Sequence, residues 1–225
     1  MDFLLYSKKG FGKTAFLPLS ENKATYGIFM EKRIASIHRV TKETDISLTL
    51  NLDGSGKCKT NTGIGFFDHM IDGFARHGLF DVELTCKGDL HVDDHHTVED
   101  CGIVLGEAIK QAAGNKKGIK RYGNFLLPMD ETLVMCAVDL CGRPYLGFAE
   151  NYPVQKIGNF DTELIHEFFY AISYSAMMNL HLKQIAGENA HHIAEASFKA
   201  FAKALDMATQ FDERIEGVLS TKGSL

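Results

Sequence analysis

His95-His96-x-x-Glu99 recurs as His191-His192-x-x-Glu195, at an offset of 96 in a chain of 225 residues. Imidazole nitrogens and a carboxylate oxygen at this spacing are what a borderline transition metal binds. A single His-His pair says little, because most histidines sit at the surface or are satisfied in a core. Here each copy follows a strand and a turn and opens a long amphipathic helix. Two copies in register therefore indicate an internal duplication, and the chain must fold the same way twice.

The surrounding pattern fits. Ile46, Leu48, Leu50 and Leu52 alternate with polar residues, the period of a half-buried strand. Asp53-Gly54-Ser55-Gly56 reads as a turn, and Lys57–Thr62 as the return strand of a hairpin. Phe67, Met70, Ile71 and Phe74 share one face of a helix that Gly78 ends. Phe80–Lys87 alternates again. Leu90-His91-Val92 reads as a short strand, Asp93-Asp94 as a helix cap, and residues 95–113 as a helix closed by Gly114. The second half offers strands over 124–128, 131–140 and 143–150. A helix is expected from Thr162 to about Leu180, a strand over 180–185, and a final helix from His191 to about Phe211. The architecture is α+β and internally duplicated. Each half has a mostly antiparallel four-stranded sheet covered on one face by helices. The division is a first half over 33–120 and a second half over 121–225 that ends in a substrate-binding tail.

Consecutive histidines on a helix point about 100° apart, so His95 and His96 cannot easily serve one ion. Each pair is expected to be split between two ions, each ion drawing on both halves. Glu99 and Glu195 stand one turn from their histidines. Further ligands come from His69 and, in the matching second-half helix, Glu167, with His166 as its competitor. His77, His91 and His181 are weaker candidates. Asp68, Asp93, Asp94 and Asp100 are expected to fix imidazole tautomers from behind. Arg121 and Arg143 each lie beside glycines. With Lys199 and the tail residues Ser220, Thr221 and Lys222 they make a candidate phosphate grip. Glu43, at the start of a strand, is a candidate acid or base.

A formal charge of −5 gives no basic field for nucleic acid. The five cysteines form no Cys-x-x-Cys pattern and read as reduced thiols in a cytoplasmic protein. No apolar run is long enough for a signal peptide or a membrane span. Residues 1–32 read as an appendage of unassigned role, with Met30 as a place where a shorter product could begin.

The motifs together resemble the imidazoleglycerol-phosphate dehydratase family. The likeness covers about residues 33–225. It rests on Arg39-Val40-Thr41-Lys42-Glu43-Thr44, Phe67-Asp68-His69-Met70, residues 93–100, Pro128-Met129-Asp130-Glu131-Thr132, Gly142-Arg143-Pro144, residues 187–196 and Ser220-Thr221-Lys222-Gly223. The resemblance implies a ribosomal protein S5 domain 2-like fold in each half. It also implies a homo-oligomer of 24 subunits with active sites at subunit contacts, and two manganese ions per site. By the likeness the metal ligands are His69, His95, His96, Glu99, Glu167, His191, His192 and Glu195. The substrate would meet Glu43, His69, His77, His95, Glu99, Arg121, Arg143, His191, Lys199, Ser220, Thr221 and Lys222. Glu43, Glu99, Glu195 and His77 would be catalytic. Family members can carry His where this chain has Glu167, which leaves His166 and Glu167 both open. Two rivals stand beside this reading: a two-metal phosphoester hydrolase, and a shell protein whose metals only staple subunits.

Overall fold

The structure is a computed structural model that describes residues 32–225. The expectations for the N-terminal segment therefore lie, Lys32 apart, outside the described residues. The first half runs β1 (Ile34–Val40), β2 (Thr44–Asn51), β3 (Cys58–Asn61), α1 (Gly65–Gly78), β4 (Asp81–Gly88) and α2 (His95–Ala113). The second runs β5 (Tyr122–Met129), β6 (Thr132–Asp139), β7 (Tyr145–Ala149), a small hairpin of β8 (Lys156–Ile157) and β9 (Phe160–Asp161), α3 (Glu163–Ser175), β10 (Asn179–Ala186) and α4 (Ala190–Thr209). The hairpin aside, the order is the same twice.

So is the sheet topology. The first sheet is ordered β1-β2-β4-β3 and the second β5-β6-β10-β7. In each, the third strand pairs in parallel with the strand that follows the first helix. This corrects the hairpin expected from the 53–56 turn. Cys58–Asn61 does not return along β2; it crosses to the far edge and runs parallel to β4. Three boundaries also move. Residues 90–92 form a turn rather than a strand. α3 stops at Ser175, well before Leu180, and Met177 turns left-handed at φ 54°. Leu79, at φ 58°, makes the left-handed cap of α1 that Gly78 was expected to make.

Each sheet buries one face. β2 turns Ile46, Leu48 and Leu50 inward, and β6 turns in Val134, Cys136 and Val138. α2 packs on β1 and β2, and α4 on β5 and β6. The helices then meet across the halves: α1 lies on α4, and α2 on α3. A seam of phenylalanines fills that junction. Phe67 meets Phe168 at 5.1 Å, and Phe74 stacks on Phe201 at 5.5 Å. One continuous apolar core therefore serves both halves. The α2–α3 approach is set by small residues. A Cβ on Gly102 would stand 2.8 Å from the Phe168 carbonyl, and one on Gly106 2.8 Å from that of Ile172.

The C-terminal tail is laid along the link between the halves. Lys117 bridges Val218, and Ile119 bridges Phe211. The Gly118 N–H donates to the Gly217 carbonyl at 2.7 Å.

Gly102→Val forces the α2–α3 seam apart and should cost about 1–3 kcal/mol. A denaturation midpoint equal to that of the parent protein would show that the seam is not tightly closed.

Candidate active site

One cluster joins the halves. His69 of α1 faces His191 and Glu195 of α4, and their ligand atoms lie within 4.8 Å of one another. Glu195 Oε2 is 3.1 Å from His191 Nε2 and 3.6 Å from His69 Nε2. Its other oxygen accepts from Lys199 Nζ at 2.6 Å. Burial works to raise the Glu195 carboxyl. Lys199, His69 and His191 together outweigh burial and hold it below its usual range. The spacing explains the geometry, because residues 191, 195 and 199 stack on one helical face. His77, two turns after His69, is pulled below the usual imidazole range, first by burial and then by the Lys199 charge.

Among the described residues this is the only such group of three. In the matching place on α2, His95 Nε2 stands 3.9 Å from Glu99 Oε2. Glu167 pairs instead with its neighbour, His166 Nδ1, at 3.0 Å, and His166 packs edge-on against Phe148. The structure thus brings together three of the eight expected ligands and leaves Glu167 apart from them.

The second histidine of each pair points elsewhere and is oriented by a carboxylate. His96 Nδ1 lies 2.9 Å from Asp89, and His192 Nδ1 lies 2.8 Å from Glu131. Both rings titrate above their usual range for that reason. Glu131 is held down at about 2, first by His192 and then by the Asn189 N–H. With Nδ1 engaged, each ring keeps Nε2 for another partner. Near those nitrogens stand Glu43 (3.8 Å from His96) and Asp130 (3.9 Å from His192). Asp89 and Glu131 were missed in the sequence, where Asp68, Asp93, Asp94 and Asp100 seemed the natural supports. A signal existed for Glu131. It occupies the β5–β6 turn as Glu43 occupies the β1–β2 turn, and a threonine follows each.

The expected supports do other work. Asp93 caps α2 by accepting from the His95 N–H at 2.8 Å, with Asp94 making no side-chain cap. Asp68 accepts from the N–H and the hydroxyl of Thr62. Asp100 is buried and binds Arg39 at 2.7 Å and the Thr44 hydroxyl. It therefore pins both strands flanking the turn that carries Glu43.

Of the phosphate-grip candidates, Lys199 stays with Glu195 in the histidine cluster, and the others gather at the other end of α4. Arg121, Arg143, Ser220, Thr221 and Lys222, joined by Arg214, line a cavity of about 800 Å³. Arg121 sits in the left-handed region at φ 68°. Its guanidinium is bidentate to Asp139 at 2.7 and 3.1 Å and donates to the Leu219 carbonyl. The Arg121 N–H bonds the Ala208 carbonyl at the end of α4. From His191 to that point a helix rises about 25 Å. Within one chain, the histidine cluster and this cavity do not meet.

A profile of imidazoleglycerol-phosphate dehydratase matches residues 62–205. This chain belongs to the imidazoleglycerol-phosphate dehydratase family. A relative so named from Lachnoclostridium phytofermentans is 66% identical over 193 residues, covering 86% of this chain and 98% of that protein. The one from Geobacter sulfurreducens is 56% identical, with 86% and 99% covered. The crystal structure of the Staphylococcus aureus protein superposes with a TM-score of 0.71 at 38% identity, over 80% of this chain and 99% of that one. The Pyrococcus furiosus structure gives 0.73 at 38%, over 84% and 100%. The family is one of lyases. The duplicated α+β fold read from the sequence is the fold these structures share. No helix among the described residues is long and apolar enough to cross a membrane.

Asp100→Ala leaves Arg39 without its buried partner and should cost about 3 kcal/mol. Amide hydrogen exchange at residues 41–44 should quicken in this variant. Unchanged protection there would detach Asp100 from the Glu43 turn.

Proposed function

We propose that this chain removes water from D-erythro-imidazole glycerol phosphate to give imidazole acetol phosphate, a step of histidine biosynthesis. We infer a cytoplasmic, manganese-dependent enzyme with two ions per site and sites completed between subunits of a large homo-oligomer of 24 copies. The observation that carries the reading is the His69–His191–Glu195 cluster with ligand atoms within 4.8 Å. It is a thiolate-free donor set of the kind that suits manganese.

The separation along α4 supports the assembly. A substrate with imidazole at one end and phosphate at the other is far shorter than about 25 Å, the helical rise between the two clusters. One chain therefore supplies a metal-binding corner to one site and a phosphate-binding pocket to another. His96 and His192, with Nε2 left free, are suited to take donors from a neighbouring copy. Glu167 joins His95 and Glu99 only if the contact with that copy draws it away from His166.

When bound, manganese would act as a Lewis acid on the imidazole ring and favour the imidazolate form. The residues of the chain do the rest. Glu195, kept ionised by Lys199, and Glu99 hold the ligand shells. Asp89 and Glu131 fix His96 and His192 in one tautomer. Glu43, half exposed beside His96, takes the proton from the second carbon out from the ring, beside the ring-attached carbon that carries the departing hydroxyl. The neighbouring hydroxyl leaves with a second proton as water, and the resulting enol becomes the ketone. His77, held neutral by burial, is available to carry a proton. Arg143, Ser220, Thr221 and Lys222 grip the phosphate, with Arg121 bracing the tail through Leu219, and so orient the reacting carbon.

Metal-stripped protein should form no imidazole acetol phosphate until manganese is restored; product at full rate without metal overturns the reading. Glu43→Gln should abolish turnover with metal still bound, and near-normal turnover would remove Glu43 from the mechanism. Glu131→Gln should weaken manganese binding about 10–100-fold by releasing His192, as measured by titration of the apoprotein.

A further inference from the structure

Glu150 follows β7, and its carboxyl turns in behind α4. Its Oε1 lies 2.7 Å from Ser197 Oγ, and its Oε2 lies 2.7 Å from the Tyr152 hydroxyl. Ser197 Oγ lies 2.7 Å from the Ile193 carbonyl oxygen as well. Ser197 and Ile193 are fully buried.

The hydrogens of this chain of contacts can be counted. A serine hydroxyl carries one, and a carbonyl only accepts. An ionised Glu150 would also only accept. The single serine hydrogen would then face two acceptors at equal distance, and one O···O contact of 2.7 Å would hold no proton. A neutral Glu150 closes the count. Its Oε1–H donates to Ser197 Oγ, Ser197 donates to the Ile193 carbonyl, and the Tyr152 hydroxyl donates to Oε2.

We propose that Glu150 stands as the neutral acid and is a positioning residue for the α4 turn that bears His191, His192 and Glu195. The Ile193 carbonyl lies in that turn. A hydroxyl bonded to the carbonyl four residues back adjusts the bend of a helix, so the Glu150–Ser197 relay sets the course of α4 where it matters. Asn189 holds the same turn from in front, accepting from the His191 and His192 N–H groups at 2.9 and 3.3 Å. At the offset of 96, α2 carries Cys101 in place of Ser197, so the device belongs to α4, the helix whose cluster is assembled.

Electrostatics points the same way. Burial pushes the Glu150 carboxyl up to about 7 against the pull of its hydroxyl partners. Tyr152 and, from β6, Cys136 are the titratable groups that face it; burial raises both, so both are neutral. From α4 it meets Ser197. A carboxyl raised in the fold costs stability as pH rises from its ordinary value of 4.5 through about 7.

The functional half of the proposal rests on the metal-dependent dehydratase reading; the protonation state does not. The test compares the parent protein with Glu150→Gln and Glu150→Ala. Gln donates to Ser197 and accepts from Tyr152, as the neutral acid does. Infrared spectra at pH 6 should show a protonated-acid carbonyl band in the parent that Glu150→Gln lacks. Glu150→Gln should keep the parent's Mn²⁺ affinity and kcat, and should escape the parent's loss of melting temperature between pH 5 and pH 8. Glu150→Ala should weaken Mn²⁺ binding and lower kcat about tenfold. Should it not fold, Ser197→Ala breaks the same relay with the loss of one atom and should do likewise. Identical infrared spectra overturn the neutral acid. Glu150→Gln as impaired as Glu150→Ala, or Glu150→Ala indistinguishable from the parent, overturns the positioning role. Absence of dehydratase turnover in the parent would sink the functional reading, while the infrared and Mn²⁺ measurements would still decide on Glu150.

Discussion

The packing of α1 on α4 and of α2 on α3 is the constraint on which the structure depends. Neither half keeps its own helices to itself. The seam is apolar where phenylalanines meet and close where Gly102 and Gly106 leave no side chain. Because interiors pack at crystal-like density, that seam holds the helices in one relation. The His69–Glu195 contact at 3.6 Å is a consequence of it. A duplicated fold whose halves merely stood side by side would place each His-His-x-x-Glu on its own helix with no histidine opposite.

This explains which parts were legible in the sequence. Period-2 and period-3.6 patterns give strands and helices locally, and the two motifs in register reveal the duplication. His69 was found because a repeat assigns it a place. The edge strand β3 was misread, since a turn such as Asp53-Gly54-Ser55-Gly56 looks the same whether the chain doubles back or crosses to a far edge. Pairing is a tertiary choice, and β3 is short and mostly polar. The supports of the histidines were misread for a related reason. Neighbours in sequence need not reach the ring nitrogens: Asp93 takes a backbone N–H and Asp100 takes Arg39 and Thr44, while Asp89 and Glu131 reach the rings only after the sheet turns have closed. The course of the tail was not legible because its anchors are backbone bridges to Lys117 and Ile119, which leave no mark on side-chain pattern.

The two halves have diverged within a common frame. Glu43 and Glu131 hold matching turns, yet Glu131 is clamped by His192 and backbone N–H groups while Glu43 stands half exposed. The difference follows from one neighbour. Asp100 secures the first turn through Thr44 and Arg39, leaving Glu43 unengaged by its own scaffold. At the offset of 96 stands Ala196, and Glu131 supplies the missing hold itself. Duplication thus yielded one carboxylate clamped by its surroundings and one left open.

The length of α4 has a genetic meaning on the proposed function. It keeps the histidine corner and the cationic cavity of a single chain about 25 Å apart, so ownership of a site is shared. Two chains disabled at opposite ends of α4 would not be equally useless together. In a mixed assembly some sites would draw a sound corner from one and a sound cavity from the other, and defects that are null alone would complement.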